Sequence, residues 1–288
     1  MKDDKTVSLI HDYDLKQRSV LLLYWILFVI GLFASIVSFA PLIWLFLSGF
    51  KELREFVIET TLLPKTFQLE KYAETWKMLG FGRYYINSLF SVSGSVVSAV
   101  FFNGLLGYAL SKIKPAGSKI IYGLVMWSLL IPATTSIVPL FVNLVRLRLV
   151  GSFIPLWLAI GANAFFVVLF KNFFDELPES LIEAAKIDGA KDFTVFMRIA
   201  VPLSKAIIMV IVLYAINAAW SDFLLPFLLL RGSDLETVMV RLFMFRGSRT
   251  NDVMVLRAIV YAIIPPLLLF VIFQKQITGM ALQSGIKG

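Results

Sequence analysis

The polar residues with the most informative spacing lie between Glu183 and Pro202, where the chain reads EAAKIDGAKDFTVFMRIAVP. This stretch is a short polar amphipathic insert between two hydrophobic segments, and its side chains are suited to recognition. Read as helix, it places Leu181, Ala184 and Ala185 on one face and Glu179, Glu183 and Lys186 on the opposite one. Pro178 suits the first helical turn, where a missing N–H costs nothing. Asp188-Gly189 reads as a stop and turn, because glycine tolerates the left-handed conformation that ends helices. A second amphipathic stretch follows, with Phe193, Phe196, Met197 and Ile199 as its apolar set, and Pro202 opens the next hydrophobic segment. Such a helix-turn-helix could lie on lipid headgroups or dock into a soluble partner. Headgroups call for a strongly basic polar face, whereas Glu179, Glu183, Asp188 and Asp192 are mixed here with Lys186 and Lys191. Acids suit a basic protein groove better, and a polar insert of this kind is suited to receiving force from a soluble partner.

Other reactive chemistry is sparse. The single histidine, His11, sits in a charged tail and reads as solvated. There is no cysteine, hence no disulfide and no thiolate metal site. Neither a Ser/His/Asp arrangement, a paired-carboxylate site nor a Gly-rich phosphate loop ending in Lys-Ser/Thr is visible. Asp222 is the acid most embedded in apolar sequence, and such acids are functional candidates, although a helix-end acid close to water fits equally. Asn217 and Trp220 on the same segment could line a path for a hydroxyl-rich solute, while a tryptophan at a span end also serves as an interface anchor.

The elements that must hold these residues are membrane spans. Of the 288 residues, 59% are hydrophobic and only 16% charged, well below the charged fraction of a soluble domain. Long runs with few or no charges occur at Ser19–Phe50, Tyr84–Ser111, Ile120–Val145, Leu149–Phe170, Ala206–Ser221 and Ala258–Gln274. A bilayer core takes roughly 17–25 apolar residues in a helix. With no β-barrel alternation in view, these runs predict an all-α membrane protein of six transmembrane helices. The first run is too long for a signal-peptide core and reads as a retained span. The net charge of +8 fits basic residues at span ends better than nucleic-acid binding, since no basic stripe with stacking aromatics is present. An inside amino terminus splits the 27 Lys and Arg almost evenly between the two sides, so charge does not set orientation.

The second run carries a small or polar residue every four positions: Ser91, Ser95, Ala99, Asn103, Gly107 and Ser111. This is a pattern for close helix packing, within the chain or against another subunit. Pro132 and Pro139 in the third run, and Pro265 and Pro266 in the last, remove intrahelical hydrogen bonds and free carbonyls for nearby donors. Lys51–Arg83 and Gly232–Arg257 read as the two long polar connections.

The insert resembles the EAA motif of the permease subunits of bacterial ABC importers, through Glu183-Ala184-Ala185, Gly189, Ile199 and Pro202 at the motif's distances. Val201 stands where the family usually has Leu, a swap of similar volume. More of the chain is similar to the carbohydrate-importer branch, the relatives of the maltose and glycerol-phosphate permeases. Asn87-Ser88-Leu89, Tyr108-Ala109-Leu110-Ser111, Ile131-Pro132 with Pro139-Leu140, Trp220 through Pro226, and Gly285 through Gly288 carry that likeness. Ser221 replaces the usual Asn. The resemblance covers roughly residues 84–288.

It implies the type I ABC importer permease fold, with a tail, first span and outer loop at 1–83, a core at 84–277 with the EAA loop at 178–202, and a short tail at 278–288. The implied coupling residues are Glu183, Ala184, Ala185, Asp188, Gly189, Ile199 and Pro202, carried on a cytoplasmic coupling helix. The implied partners are a second homologous permease subunit, two cytoplasmic ATPase subunits that bind ATP and Mg, and an extracellular sugar-binding protein. This chain then carries no cofactor and is not an enzyme. The location is the bacterial cytoplasmic membrane, with both termini inside. An ion-coupled secondary transporter would call for ionisable groups near the midplane and inverted repeats. An integral membrane enzyme would call for clustered His or carboxylates. Neither pattern is convincing here.

Overall fold

The computed structural model describes residues 18–59, 61–246 and 251–286, so His11, Arg249 and Lys287-Gly288 lie outside the described residues. The chain divides into two compact units, residues 1–72 with 251–260, and residues 73–250 with 261–288. Among the described residues every regular element is helical.

In the first unit, α1 (Arg18–Ser48) is apolar all round and exposed along most of its length, as expected for a helix whose solvent is lipid. Its carboxyl end is finished by side chains. Arg257 donates from Nε to the Gly49 carbonyl at 2.6 Å and from Nη2 to the Lys51 carbonyl at 3.3 Å. The Tyr72 hydroxyl donates to the Phe46 carbonyl at 2.7 Å. A guanidinium at a helix carboxyl terminus meets both the unpaired carbonyls and the negative end of the dipole. Beyond it, a π turn at Glu55–Glu59 is held by the Glu55 carboxylate, which accepts the Thr61 hydroxyl at 3.0 Å and the Lys65 backbone N–H at 2.8 Å.

The connection that reads as polar loop, Lys51–Arg83, contains α2 (Glu70–Leu79), and the next helix, α3 (Phe81–Ile113), begins three residues before its apolar run. In the second unit α3 is the central element. Its four-residue stripe presents a geometric problem, because four residues advance an α-helix by about 400°, so six stripe positions drift by about 200°. Yet Ser91, Ser95, Ala99, Asn103, Gly107 and Ser111 are all buried. Two π turns, Ala99–Asn103 and Ala109–Ile113, account for this. Each accommodates one extra residue and takes back about 100°. The stripe thus serves packing within the chain: a Cβ on Gly107 would stand 2.7 Å from the Cβ of Phe170 and 3.0 Å from the Lys171 nitrogen.

The third run is not one helix. α4 (Ser118–Ser128) stops, Pro132 takes an extended ψ of 127°, and α5 (Thr134–Arg146) resumes after it. Pro132 cannot donate its N–H and biases its predecessor away from helix, while the Thr135 hydroxyl satisfies the Pro132 carbonyl at 2.7 Å. The fourth run is also broken, into α6 (Ile154–Gly161) and α7 (Ala164–Asp175), bent by 44°. The fully buried Asn103 of α3 holds that break. Its amide donates to the Ile160 carbonyl at 3.0 Å and to the Ala99 carbonyl at 2.8 Å, while its oxygen accepts the Asn163 N–H at 2.9 Å. Asn163 in turn caps α7 through the Phe166 N–H.

Beyond the insert, whose two helices are α8 (Glu179–Ile187) and α9 (Asp192–Leu203), come α10 (Lys205–Ser221), α11 (Leu224–Leu230), α12 (Val238–Arg246) and α13 (Asp252–Ile286). The stretch Gly232–Arg257, which reads as polar connection, therefore holds a helix of its own and the start of the last one. Within it Val238 and Val240 are buried. By length and composition, three of the described helices can cross a membrane, or up to five if each bent pair counts as one. The expected runs are not all unbroken helices: the third is interrupted at Pro132 and the fourth between Gly161 and Ala164.

Candidate functional site

α8 starts after Pro178, whose ψ of 127° places it just outside the helix as its cap rather than in the first turn. It ends as Asp188-Gly189 predicts. Gly189 has φ +82°, its N–H donates to the Lys186 carbonyl at 3.0 Å, and the Ala190 N–H donates to the Ala185 carbonyl at 2.9 Å. This pair of bonds is a Schellman closure, and Ala185 and Ala190 pack on the same core cluster beneath it. The Lys186–Asp192 ion pair, 2.9 Å, closes the turn from outside.

The faces of α8 differ from the sequence reading. The helix buries Ile182 at 7% exposure and half-buries Ala185, while Leu181 and Ala184 are exposed. Ile182 was the residue to find, since only it and Ala185 share the inward side at i, i+3 spacing. Their neighbours are span residues: Ile182, Val195, Phe196 and Ala200 form one cluster with Tyr108, Phe170, Phe174, Ile211 and Ala215. The outward side carries Ser180, Glu183, Ala184 and Ile187, all exposed, with Ile187 at 86%. At 100° per residue Ile187 lies about 140–160° from Ile182 and Ala185, so the core does not reach it.

In α9 the buried residues are Val195, Phe196 and Ala200, Ile199 is half-buried, and Phe193 and Met197 are exposed. Pro202 lies within the last turn of α9 and does not open the following span. The 84° bend falls at Ser204, which is buried and returns its hydroxyl to the Ala200 carbonyl at 2.7 Å.

The three path candidates on α10 fall in different environments. Asn217 is exposed and its side-chain oxygen accepts the Ser221 hydroxyl at 3.2 Å. Asp222 ends α10, and its carboxylate accepts the N–H groups of Leu224 and Leu225 at the start of α11. Trp220, unlike Asn217, is buried: its indole donates to the Ala262 carbonyl at 3.0 Å and meets the Tyr85 ring edge-on at 5.5 Å. The reason lies in α13. Pro265 and Pro266 have no N–H for the carbonyls of Tyr261 and Ala262, four residues earlier. The Tyr85 hydroxyl takes the first freed carbonyl and the Trp220 indole takes the second. The prolines signal the freed carbonyls in the sequence, but nothing in it names the donors.

The fold has a central helix flanked by broken helices and a polar insert rooted in the span core. A crystal structure of a bacterial ABC transporter involved in the import of the acidic polysaccharide alginate matches it with a TM-score of 0.79 at 24% identity, covering 90% of this chain and 98% of that one. Residues 103–279, more than half of the chain, match the family described as binding-protein-dependent transport system inner membrane component, and the chain belongs to that family. Similar proteins include the diacetylchitobiose uptake system permease NgcG of Streptomyces coelicolor, 28% identical over 87% of this chain and 84% of that protein. The arabinooligosaccharides transport system permease AraQ of Bacillus subtilis is 29% identical over 88% of this chain and 92% of that protein. The chain is thus an inner-membrane transport component and not itself an enzyme.

Proposed function

We propose that this chain is a permease subunit of an ATP-driven, binding-protein-dependent importer of a sugar, an oligosaccharide or a sugar derivative. The sugar class rests on the substrates named for NgcG, an uptake system permease, and AraQ, a transport system permease, both of which this chain matches over most of its length. In this reading α8 is the coupling helix, it lies in the cytoplasm, and both termini are inside. The broken runs count as spans in six crossings. A second, homologous permease completes the pathway, two ATPase subunits hold ATP and Mg so that this chain binds no cofactor, and an outer sugar-binding protein delivers the substrate.

The observation that carries the reading is the exposed face of Ser180, Glu183, Ala184 and Ile187 on a helix whose opposite side is rooted among Phe170, Phe174 and Phe196. A face of this kind presents a carboxylate, a small residue and an apolar knob to a groove, and the rooted side passes any displacement to the spans. Asp188 and Gly189 fix where the helix stops, while Ile199 and Pro202 belong to the arm that returns to the membrane. Asn217 would line the path together with Ser221, with Trp220 as its buttress and Asp222 as the cap of α11.

Proteoliposomes containing the co-purified complex test this. Uptake is expected to require ATP inside and the loaded binding protein outside. Glu183→Lys is expected to leave the chain folded and inserted, to release the ATPase and to abolish uptake. Uptake driven by an ion gradient without ATP would establish a secondary transporter instead.

A further inference from the structure

The three residues Glu176, Leu177 and Pro178 join α7 to α8, and a second attachment runs beside this covalent one. The last π turn of α3 grips the same junction. The buried Ser111 hydroxyl donates to Oδ1 of Asp175 at 2.6 Å, and the Lys112 ammonium donates to the Leu177 carbonyl at 2.8 Å. Lys114, held at φ +50° where α3 ends, reaches Glu179 in the first turn of α8 at 3.8 Å. Lys171, one turn back on α7, donates to the other Asp175 oxygen at 2.6 Å and stands over the Tyr122 ring at 4.7 Å. Positions 111, 112 and 114 at the end of α3 thus meet, in order, Asp175 at the end of α7, Leu177 in the linker and Glu179 at the start of α8. The π turn makes this order possible: it closes with the Lys114 N–H on the Ala109 carbonyl at 2.8 Å and keeps Ser111 inward while Lys112 turns towards the junction.

From this we infer that Ser111, Lys112 and Asp175 are positioning residues that clamp the leading end of α8 to α3, so that a push on α8 moves α3 and α7 together. The inference rests on α8 being the coupling helix. Of the contacts, Lys114–Glu179 is exposed on both sides and adds little. Ser111–Asp175 and Lys112–Leu177 are charge-assisted, and Ser111 is shut off from water. Without them α8 would still be covalently attached, still present Glu183 and still pack through Ile182 on the cluster that includes Tyr108 of α3, but its leading end would lose its polar hold on α3 and a push on α8 would be passed on less completely.

The test uses the complete complex purified with its ATPase and loaded binding protein, reconstituted in liposomes. It measures sugar taken up per ATP hydrolysed. In the double variant Ser111→Ala, Lys112→Met, the complex is expected to assemble and to hydrolyse ATP, while uptake per ATP falls about ten-fold, the scale of a lost charge-assisted hydrogen bond. Ser111→Thr, which keeps the hydroxyl, is expected to retain the wild-type ratio. A defect of folding alone would lower uptake and hydrolysis together and leave their ratio unchanged. If the double variant does not assemble, Ser111→Ala by itself gives the reading. An unchanged ratio in the assembled variant overturns the clamp. Glu183→Lys run in parallel separates the two ideas: if it releases the ATPase while the clamp variants stay coupled, only the clamp fails. If it keeps both ATPase and uptake, the coupling-helix reading itself fails.

Discussion

At the residue scale the insert turns on a single backbone angle. Gly189 adopts φ +82°, with open space where a Cβ would stand, so a substitution there meets strain rather than a clash. A β-branched residue is poorly tolerated in that region, and the left-handed conformation costs an L-residue about 1–2 kcal/mol. Gly189→Val is therefore expected to loosen the Schellman closure, misdirect α8 and lower uptake several-fold while expression holds. Uptake at the wild-type rate would mean that the turn does not position α8. This residue was legible from Asp188-Gly189 alone, because the chemistry of the turn is local. The inward face of α8 was not. Leu181, Ala184 and Ala185 make a consistent apolar face by angle, but which apolar side turns inward depends on Tyr108, Phe170 and Phe174, which stand on other helices.

At the element scale, the molecule relies on helices whose interruptions are each answered by a specific donor or acceptor. Asn103 answers the α6–α7 break, the Thr135 hydroxyl answers Pro132, and Tyr85 and Trp220 answer the two prolines of α13. The last pair gives a clean double-mutant cycle. Trp220→Phe removes the indole donor and should lower stability in detergent by about 1 kcal/mol, the size of a typical interhelical hydrogen bond in a membrane protein. In a Pro266→Ala background the helix supplies its own N–H to the Ala262 carbonyl, so the same Trp220→Phe change should cost clearly less. Equal costs in both backgrounds, measured by thermal unfolding, would show that the freed carbonyl is not what Trp220 recognises. Most apolar runs and the prolines were visible as a pattern. The breaks were only half visible, because proline marks a lost bond but not whether the helix continues, as α13 does, or ends, as α4 does. The π turns of α3 left one trace, a four-residue stripe that an ideal α-helix cannot keep on one side.

At the scale of the whole molecule, one cluster of buried aromatic and aliphatic side chains ties α3, α7 and α10 to both arms of the insert. A load on α8 is therefore a load on that unit, and the exposed face of α8 is the proposed contact with the ATPase. Because the chain has no cysteine, a single thiol can be put there without background. The most direct measurement is a thiol-to-amine crosslink from Ile187→Cys in the purified, ATP-competent complex. A product joining this chain to the ATPase subunit is expected, with uptake largely retained before crosslinking. An Ile187→Cys chain that forms no such product, and is instead modified by a reagent confined to the lipid phase, would contradict it.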